Sequence, residues 1–440
     1  MTKAKARLIA FVLLNFCLCI SFVNLTAGKK NNYRKPKAIL VPSEKFYFNS
    51  FVDCNMAEAW IGDTFRIFPG KYGEDPVWGG TSNDLKFADG RNADEAFKCK
   101  PEQFTIPALP KNSLPGTAGL HGVVWFETVY QDIKDKTGRT LFAVYHNENY
   151  PETLPYDPNT GKGYNNTNWP EGLRGPSSAA AVCRIGIMKP VDGGRSWKDK
   201  GIFIEDNDPR MILKPHNTSK TFAGGVGDPS AVVSGEFLYL FYGEYGYPGV
   251  YSPNNYDPDQ ERKGQCISIA RIRLTDLDNP AGKAKRWDGT GFNALWDGIG
   301  KPITSIQIPP SSGGGPASSP GANFYWGPSV SWNVYLGSWV MLMAKAQGPS
   351  WQGSSIYISY NKNEDLSKNN NSQQWSKPEL LLSKPGHILW YPSLQPTGSS
   401  ADSINKFTCL RSGKISRLFF KDTHGDSSEY ISVWKVNFSK

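Results

Sequence analysis

Several motifs that identify common enzyme classes are missing from this 440-residue sequence. It has no HExxH zinc motif, no phosphate-binding P-loop and no GxGxxG segment that follows a strand. Residues 119–122 read Gly-Leu-His-Gly, but no nucleophile elbow accompanies them. Histidine is scarce, and the five residues are too scattered to predict a zinc cluster: His121, His146, His216, His387 and His424. These absences argue against zinc peptidases, P-loop nucleotide hydrolases and dinucleotide-dependent enzymes.

The sequence also lacks any long segment with the 3.6-residue period of an amphipathic helix, which argues against α/β barrels and doubly wound sheets. Turn-forming and aromatic residues are abundant instead: 44 Gly, 32 Pro, 23 Phe, 20 Tyr and 14 Trp. Many short strands joined by tight turns have this composition. We therefore expect an all-β protein.

Acidic residues are absent from residues 1–37, which hold eight Lys and Arg residues. The formal net charge is +9, so the rest of the chain carries only +1. The folded body thus has no charge-based reason to bind nucleic acid.

The amino terminus has the layout of a signal peptide. Three basic residues precede the apolar run Leu8–Val23, and small residues follow it at positions 26–28. A helix of this run would rise about 24 Å, short of the roughly 30 Å hydrocarbon core of a membrane. We expect residues 1–28 to be removed, residues 29–45 to form a basic segment and residues 46–440 to form one domain. The protein is then secreted and has no membrane span.

Five cysteines remain after the expected cleavage, and none lies in a CxxC pattern: Cys54, Cys99, Cys183, Cys266 and Cys409. In an oxidising compartment this number predicts one or two disulfides and an unpaired thiol, with the pairing open. Glycosylation sequons begin at Asn165, Asn217, Asn370 and Asn437. If the host glycosylates proteins, these asparagines lie at the surface.

A pattern of strands repeats five times along the chain. Each repeat opens with a turn-like cluster, continues with residues of alternating polarity, crosses a Gly or Asn turn and ends in an aromatic and aliphatic strand. The opening strands begin near residues 53, 127, 228, 327 and 391. The pattern favours a five-bladed β-propeller with long loops, and a β-sandwich is the alternative.

Two further segments fit this interpretation. Residues 192–197, Asp-Gly-Gly-Arg-Ser-Trp, resemble an Asp-box, a structural turn in which an Asp accepts backbone hydrogen bonds above a packed Trp. Residues 309–320 are rich in Pro, Ser and Gly and predict a flexible loop. That loop is either an unstructured insertion or a lid over the central opening.

Carboxylates recur at the start of the inner strands, which line the channel of a propeller. Asp53, Glu127 and Asp228 open the first three repeats, and His146 and Glu148 share one face at the end of the second repeat's hairpin. Converging carboxylates raise one another's pKa, and the resulting acid and base pair is what sugar hydrolysis requires. Each residue could instead be a turn or surface residue, since an Asp before Pro most often caps a turn. The shared register favours a catalytic site.

Aromatic side chains near the same rim could stack on sugar rings: Trp125, Tyr325, Trp326, Trp390 and Tyr391. Large aromatics more often fill cores, so each has a structural alternative. We expect no cofactor, although channel carboxylates could hold a structural calcium ion.

The motifs resemble a group of uncharacterised secreted bacterial proteins that are similar in turn to five-bladed propeller glycosidases of family 43. The segments that carry the resemblance are 122–129, 145–148, 184–197, 222–228, 326–333 and 390–392. Such glycosidases use an Asp base on the first blade, a second Asp that tunes a pKa and a Glu acid on a later blade. The resemblance implies that Asp53 is the base and Asp228 the tuning residue. The fourth repeat has Trp326-Gly-Pro-Ser in place of an acid, so the acid role falls to Glu148 or Glu127.

Three functions remain open at this point. The first is a secreted glycoside hydrolase acting on an extracellular polysaccharide, for example one that contains arabinofuranose. The second is a noncatalytic glycan-binding propeller, and the third is an adhesion protein with a plugged channel. The partner is a polysaccharide or oligosaccharide, and we expect a monomer.

Overall fold

A computed structural model describes residues 36–46, 53–69, 71–75, 80–83, 87–98, 123–132, 135, 137–149, 181–206, 222–245, 264–308, 323–348, 351–368, 370–396, 411–424 and 428–440. These residues are mostly strand, with one short α-helix, α1 (Ala93–Phe97), whose amino terminus is capped by Asn92. Short 3-10 turns occur at Leu274–Asp276 and Asn371–Gln373. The chain divides into two compact units, and the larger one, Ala38–Ser439, is described below.

The strands, in chain order, are β1 (Lys37–Phe46), β2 (Glu58–Ile61), β3 (Thr64–Ile67), β4 (Lys71–Asp75), β5 (Gly80–Asn83), β6 (Ala88–Gly90), β7 (Val123–Gln131), β8 (Leu141–Asn149), β9 (Ala181–Lys189), β10 (Lys198–Ile204), β11 (Phe222–Ser234), β12 (Phe237–Glu244), β13 (Cys266–Arg273), β14 (Lys285–Arg286), β15 (Phe324–Asn333), β16 (Ser338–Ala346), β17 (Ser355–Asn361), β18 (Glu379–Ser383), β19 (His387–Pro396), β20 (Arg411–Ser412), β21 (Ile415–His424) and β22 (Ser428–Ser439).

The strands form a five-bladed β-propeller, as the repeats predict. Blade I is β2-β3-β6, blade II is β7-β8-β9-β10, blade III is β11-β12-β13-β14, blade IV is β15-β16-β17-β18 and blade V is β19-β21-β22-β1. Neighbouring strands within blades I to IV pair antiparallel, as do β19, β21 and β22. The inner strands β2, β7, β11, β15 and β19 begin within a few residues of the predicted openings.

Side-chain hydroxyls on the inner strands join neighbouring blades. Thr128 Oγ1 of blade II accepts a hydrogen bond from Ala231 N of blade III at 3.1 Å. Ser230 Oγ of blade III accepts the equivalent bond from Val330 N of blade IV at 2.9 Å. Because these hydroxyls satisfy buried backbone amides, they fix the register of one blade against the next.

The fifth blade contains both ends of the described chain. Strand β1 is its outermost strand and lies beside β22, and Ser43 Oγ donates a hydrogen bond to Val433 O at 3.2 Å. The basic segment expected at residues 29–45 therefore overlaps a strand of the propeller from Lys37 onward. Residues 1–35, including the expected signal peptide, lie outside the described residues.

Apolar side chains fill the spaces between blades, which is where a propeller has its core. The Asp-box prediction is confirmed, and the turn contributes to this core. Asp192 accepts hydrogen bonds from the backbone amides of Arg195 and Ser196 at 3.0 and 3.1 Å. Trp197 packs beneath it, with its ring 4.6 Å from that of Phe126, and so joins the turn to blades I and II.

Three of the cysteines, Cys54, Cys183 and Cys266, are buried free thiols. Cys99 and Cys409 lie outside the described residues, as do the predicted loop 309–320 and the sequons at Asn165 and Asn217. Within the described part of the chain, no helix is long and apolar enough to cross a membrane.

Candidate active site

The candidate site is built from bulges at equivalent points of four inner strands. The pairing register shifts at Glu127 in β7, Asp228 in β11, Gly327 in β15 and Tyr391 in β19. The last three each precede a Pro-Ser pair, and their φ angles of 49°, 54° and 51° lie in the left-handed region. Such bulges redirect a side chain away from the ordinary alternation of a strand. Here they place corresponding residues of four blades around the centre.

Glu127, His146 and Asp228 meet at this centre. His146 Nδ1 lies 3.8 Å from Glu127 Oε1 and 3.5 Å from Asp228 Oδ1. The side chains of Glu127, His146 and Asp228 are 0%, 3% and 6% exposed. Gly227 permits this approach, because a Cβ at that position would lie 3.1 Å from the His146 ring. One imidazole is thus held between two buried carboxylates.

Hydrogen bonds from the same blade and from other blades orient the two carboxylates. The backbone amide of Asn55 donates to Glu127 Oε2 at 2.8 Å. Asp228 accepts from the Tyr245 hydroxyl at 2.5 Å and from the Tyr391 hydroxyl at 3.4 Å. Glu127 Oε1 and both nitrogens of His146 are buried without a hydrogen-bond partner among the described residues. These unsatisfied atoms all belong to the central cluster, where a proton, a water or a ligand would stabilise them.

Burial makes the Glu127 carboxyl a weak acid. Desolvation and the negative charge of Asp228 raise its pKa to about 8, although His146 and Asn55 act in the opposite direction. Burial alone would lower the pKa of His146, but the interactions with Cys183, Asp228 and Glu127 outweigh burial and raise it well above its usual value. The centre therefore holds protons at neutral pH, and Glu127 is one of the groups that carries them.

Asp53 lies next to this centre, at the start of blade I. Its side chain is 25% exposed, and Lys421 Nζ of blade V lies 3.3 Å from Asp53 Oδ1. The Lys421 ammonium also lies 4.8 Å from the centroid of the Trp390 ring. Burial is the main cause that raises the pKa of Tyr391, and the charges of Asp228, Asp53 and Glu127 raise it further. The Tyr391 hydroxyl donates to Asp228. The first, second and third repeats thus each contribute one carboxylate to the site.

The donor atoms of Glu127, His146 and Asp228 lie within 4.8 Å of one another, so one cation could contact all three. One imidazole and two carboxylates suit zinc better than calcium, which prefers six to eight oxygen ligands. The same atoms can instead share protons, as the raised pKa values of Glu127 and His146 describe.

Glu148 takes a more peripheral position than its sequence pattern suggested. It lies two residues beyond His146 on β8, directly across from Cys183 of β9. The pKa of the Cys183 thiol is raised to about 12, mainly by burial. The charge of Glu148 contributes to the same rise. The carboxylate that lies beside His146 together with that of Asp228 belongs to Glu127. Of the two acids considered from the sequence, Glu127 is therefore the one placed at the centre.

The aromatic residues divide into two groups. Trp326, Trp390 and Tyr391 pack together, with the Trp326 ring 5.7 Å from Trp390 and 5.3 Å from Tyr391. Tyr325 packs instead against Tyr357, with ring centroids 5.0 Å apart, in the core shared by blades III and IV. Trp125 is buried in the core between blades I and II. The first group adjoins the carboxylates through Tyr391, whose hydroxyl donates to Asp228.

Three residues of the site were not foreseen: Asn55, Tyr245 and Lys421. Lys421 lies inside β21, and only the folding of the ring brings it to Asp53, which is 368 positions away. Tyr245 directly follows β12, and the β11–β12 hairpin brings it to Asp228. A signal for the bulges was present, because Asp-Pro-Ser, Gly-Pro-Ser and Tyr-Pro-Ser recur in blades III, IV and V. That recurrence could have identified Tyr391 as the equivalent of Asp228.

Comparison with known proteins gives a distant likeness of fold. No family model and no curated protein matches the chain. An α-L-arabinofuranosidase from Lactobacillus brevis is similar with a TM-score of 0.45 and 10% identity, over 88% of this chain and 92% of the other. A family 62 α-L-arabinofuranosidase from Coprinopsis cinerea has a TM-score of 0.42 and 9% identity, over 90% of this chain and 96% of the other. An exo-β-1,3-galactanase from Phanerochaete chrysosporium has a TM-score of 0.43 and 10% identity, over 90% of this chain and 64% of the other. Likeness at this level says nothing about the reaction of this chain.

Proposed function

We propose that the protein is a secreted glycoside hydrolase that cleaves an extracellular polysaccharide, with Asp53 as general base and Glu127 as general acid. The observation that carries the proposal is the difference between these two carboxyls. Glu127 is buried and has a pKa of about 8, so it holds a proton at neutral pH. Asp53 reaches solvent and is paired with a lysine. Hydrolysis of a glycosidic bond requires one carboxyl group of each kind.

In the proposed reaction, Asp53 takes a proton from a water that attacks the anomeric carbon. Glu127 gives its proton to the glycosidic oxygen as the bond to that oxygen breaks. Asp228 stays in place through its bonds from Tyr245 and Tyr391, and its charge helps Glu127 to keep the proton. Trp390, which is partly exposed and packs beside Tyr391, supplies aromatic surface on which a sugar ring can stack.

The amino-terminal sequence supports export as the setting of this activity. The signal-peptide layout of residues 1–28 leads the chain to a compartment where polysaccharides are found. We propose that the mature chain acts as a monomer on a soluble or wall-bound glycan.

The test is the release of reducing sugar from a panel of arabinans, arabinoxylans, galactans and microbial wall glycans. We expect Asp53→Asn and Glu127→Gln each to lower turnover of the hydrolysed glycan by about 10²- to 10⁴-fold. Glu236→Gln is a matched control, because Glu236 is exposed in the turn between β11 and β12 of blade III, away from the centre. Full turnover in Glu127→Gln would contradict the assignment of the acid.

A second function, glycan binding without cleavage, is favoured by the burial of the central carboxylates. Glu127 is fully covered, and both it and Asp228 already accept hydrogen bonds from the protein. A binding propeller would show equal affinity for one glycan in the wild type and in Asp53→Asn, with no sugar released by either. Released sugar from the wild type alone would exclude this alternative.

A further inference from the structure

Two histidine side chains lie side by side at one end of blade V. His387 is the first residue of β19 and His424 the last residue of β21, and the two are directly paired across these antiparallel strands. Side chains of directly opposed residues lie on the same face of a sheet. The two imidazole rings are accordingly close, with centroids 4.5 Å apart and planes inclined by 43°. Neither ring belongs to the residues proposed for hydrolysis.

The His387 ring is held by the buried carboxylate of Asp422. Asp422 Oδ1 lies 2.6 Å from His387 Nδ1, and the Asp422 side chain is 2% exposed. Asp422 Oδ2 accepts a hydrogen bond from Ser432 Oγ at 2.9 Å and another from Lys384 Nζ. Because a carboxylate paired with an ammonium group is ionised and can only accept, His387 Nδ1 carries the proton. In the neutral imidazole the lone pair therefore lies on Nε2.

A tight turn places Lys384 and His387 on the same carboxylate. In the segment Lys-Pro-Gly-His at residues 384–387, the backbone amide of His387 donates to Lys384 O at 3.1 Å, and Gly386 has a φ of 82°. Proline at the second position and a glycine with positive φ at the third are typical of a type II turn. The turn and the bond to Asp422 thus fix the orientation of the His387 ring in advance of any ligand.

This arrangement is the one in which histidine binds metal ions. Histidine ligands regularly donate one ring N–H to a carboxylate and bind the metal through the other nitrogen. His424 is exposed and the His387 side chain is 22% exposed, so a dissolved ion reaches both rings. Zinc holds imidazole nitrogens at about 2.0–2.1 Å, which places two of them roughly 3.3 Å apart around one ion. Rotation of the exposed His424 side chain brings rings with this centroid separation to such a distance.

The kind of ion follows from the donor atoms rather than from charge. The ammonium of Lys384 and the carboxylate of Asp422 form an ion pair, so their charges cancel beside the rings. Imidazole nitrogen suits zinc, copper and nickel, whereas calcium and magnesium prefer oxygen ligands. The histidine pair therefore favours a divalent transition metal ion.

We propose that His387 and His424 form a binding site for a divalent transition metal ion such as zinc or copper, with Asp422 orienting His387 and water completing the coordination. The bound ion links β19 to β21, and β19 carries Trp390 and Tyr391 three and four residues beyond His387. The site is separate from the carboxylate cluster at the centre, which holds a single imidazole. It does not depend on the proposed hydrolysis.

The experiment measures zinc and copper binding to untagged protein that has been stripped of metal with a chelator. Calorimetry gives the zinc affinity, and melting temperature reports folding. The nitrogen hyperfine pattern in the electron paramagnetic resonance spectrum of bound Cu²⁺ counts the imidazoles that coordinate it. The variants are His387→Gln, His424→Gln and Asp422→Asn. Lys414→Gln is the control, because Lys414 is exposed and directly precedes the opposite end of β21 from His424.

We expect Cu²⁺ to show two bound imidazoles in the wild type and in Lys414→Gln. Asp422→Asn should weaken zinc binding by about 10- to 100-fold, the usual effect of losing the carboxylate behind a histidine ligand. His387→Gln and His424→Gln each remove a ligand and should weaken it by at least about tenfold. Zinc should raise the melting temperature of the wild type but not that of His424→Gln, because a ligand stabilises the fold to which it binds. Calcium at the same concentration should leave the melting temperature unchanged.

Two results would overturn the site. Wild-type zinc affinity in both histidine variants would show that neither ring is a ligand. A wild-type copper spectrum with a single imidazole would assign the ion to the central cluster, whose only imidazole is that of His146. The exposed position of His424 keeps the test decisive even if the buried substitution Asp422→Asn fails to fold.

Discussion

The proton on Glu127 has a consequence for stability that can be measured without any substrate. The carboxyl is fully buried, and its pKa rises from an ordinary 4.5 to about 8. Between these two pH values the folded protein binds a proton that the unfolded chain has released. Folding is therefore favoured at low pH relative to high pH, and the contribution of Glu127 decreases as the pH rises.

The size of this effect on the free energy of unfolding follows from the interval between the two pKa values. One pH unit corresponds to about 1.4 kcal/mol, so the complete interval corresponds to at most about 5 kcal/mol. Glu127→Gln keeps the shape and the acceptor for the Asn55 amide but cannot ionise. From pH 5.5 to pH 7, we expect the free energy of unfolding of the wild type to fall by up to about 1.4 kcal/mol per unit relative to this variant.

Urea denaturation at half-unit steps of pH measures this difference directly. His146 contributes a slope of the same sign above its ordinary pKa of 6.5, because its pKa is also raised. Glu127 is one cause of that rise, so the His146 slope differs between the two proteins, and the interval from pH 5.5 to 6.5 reports Glu127 itself. Glu236→Gln, an exposed substitution, should follow the wild type at every pH. If the wild-type and Glu127→Gln curves run parallel from pH 5 to pH 8, Glu127 is ionised in the native state. The acid role proposed for it would then be wrong.

Two further predictions concern other parts of the chain. Intact-mass measurement of the secreted protein should show a mature chain that begins near residue 28, and a mass that still includes Met1 would contradict the signal peptide. Asp192→Ala should lower the free energy of unfolding by about 1–3 kcal/mol, because the amides of Arg195 and Ser196 lose their acceptor. Asp192→Asn should restore part of that loss in the same denaturation assay, and equal stability of all three proteins would show that the Asp-box turn is dispensable.

The architecture could be predicted because a propeller repeats one local pattern. Alternating strands and turn residues identify each blade without knowledge of the others, and the Asp-box at Asp192 has a local signature of its own. The hydroxyls of Thr128 and Ser230 occupy similar positions in successive blades, and each accepts a hydrogen bond from a backbone amide of the next blade.

The site could be predicted only in part, because its contacts join residues far apart in the chain. Asp53 and Lys421 are separated by 368 positions, and Asn55 and Pro328 by 273. The bulges also break the alternation on which a strand prediction depends, so Glu127 reaches His146 whereas Tyr325 packs into the core of blades III and IV. The sequence could indicate which carboxylates open the repeats but not which of them share a proton.

The position of strand β1 at the edge of the fifth blade sets an order of events during synthesis. Ser43 reaches its partner Val433 across 390 positions of the chain. Strand β1 must therefore wait until residues some 390 positions later have been made before its neighbour β22 exists. During that time blades I to IV can assemble, but the ring stays open and Lys421 is not yet available to Asp53. Strands β21 and β22 thus complete both the outer edge of the ring and its centre.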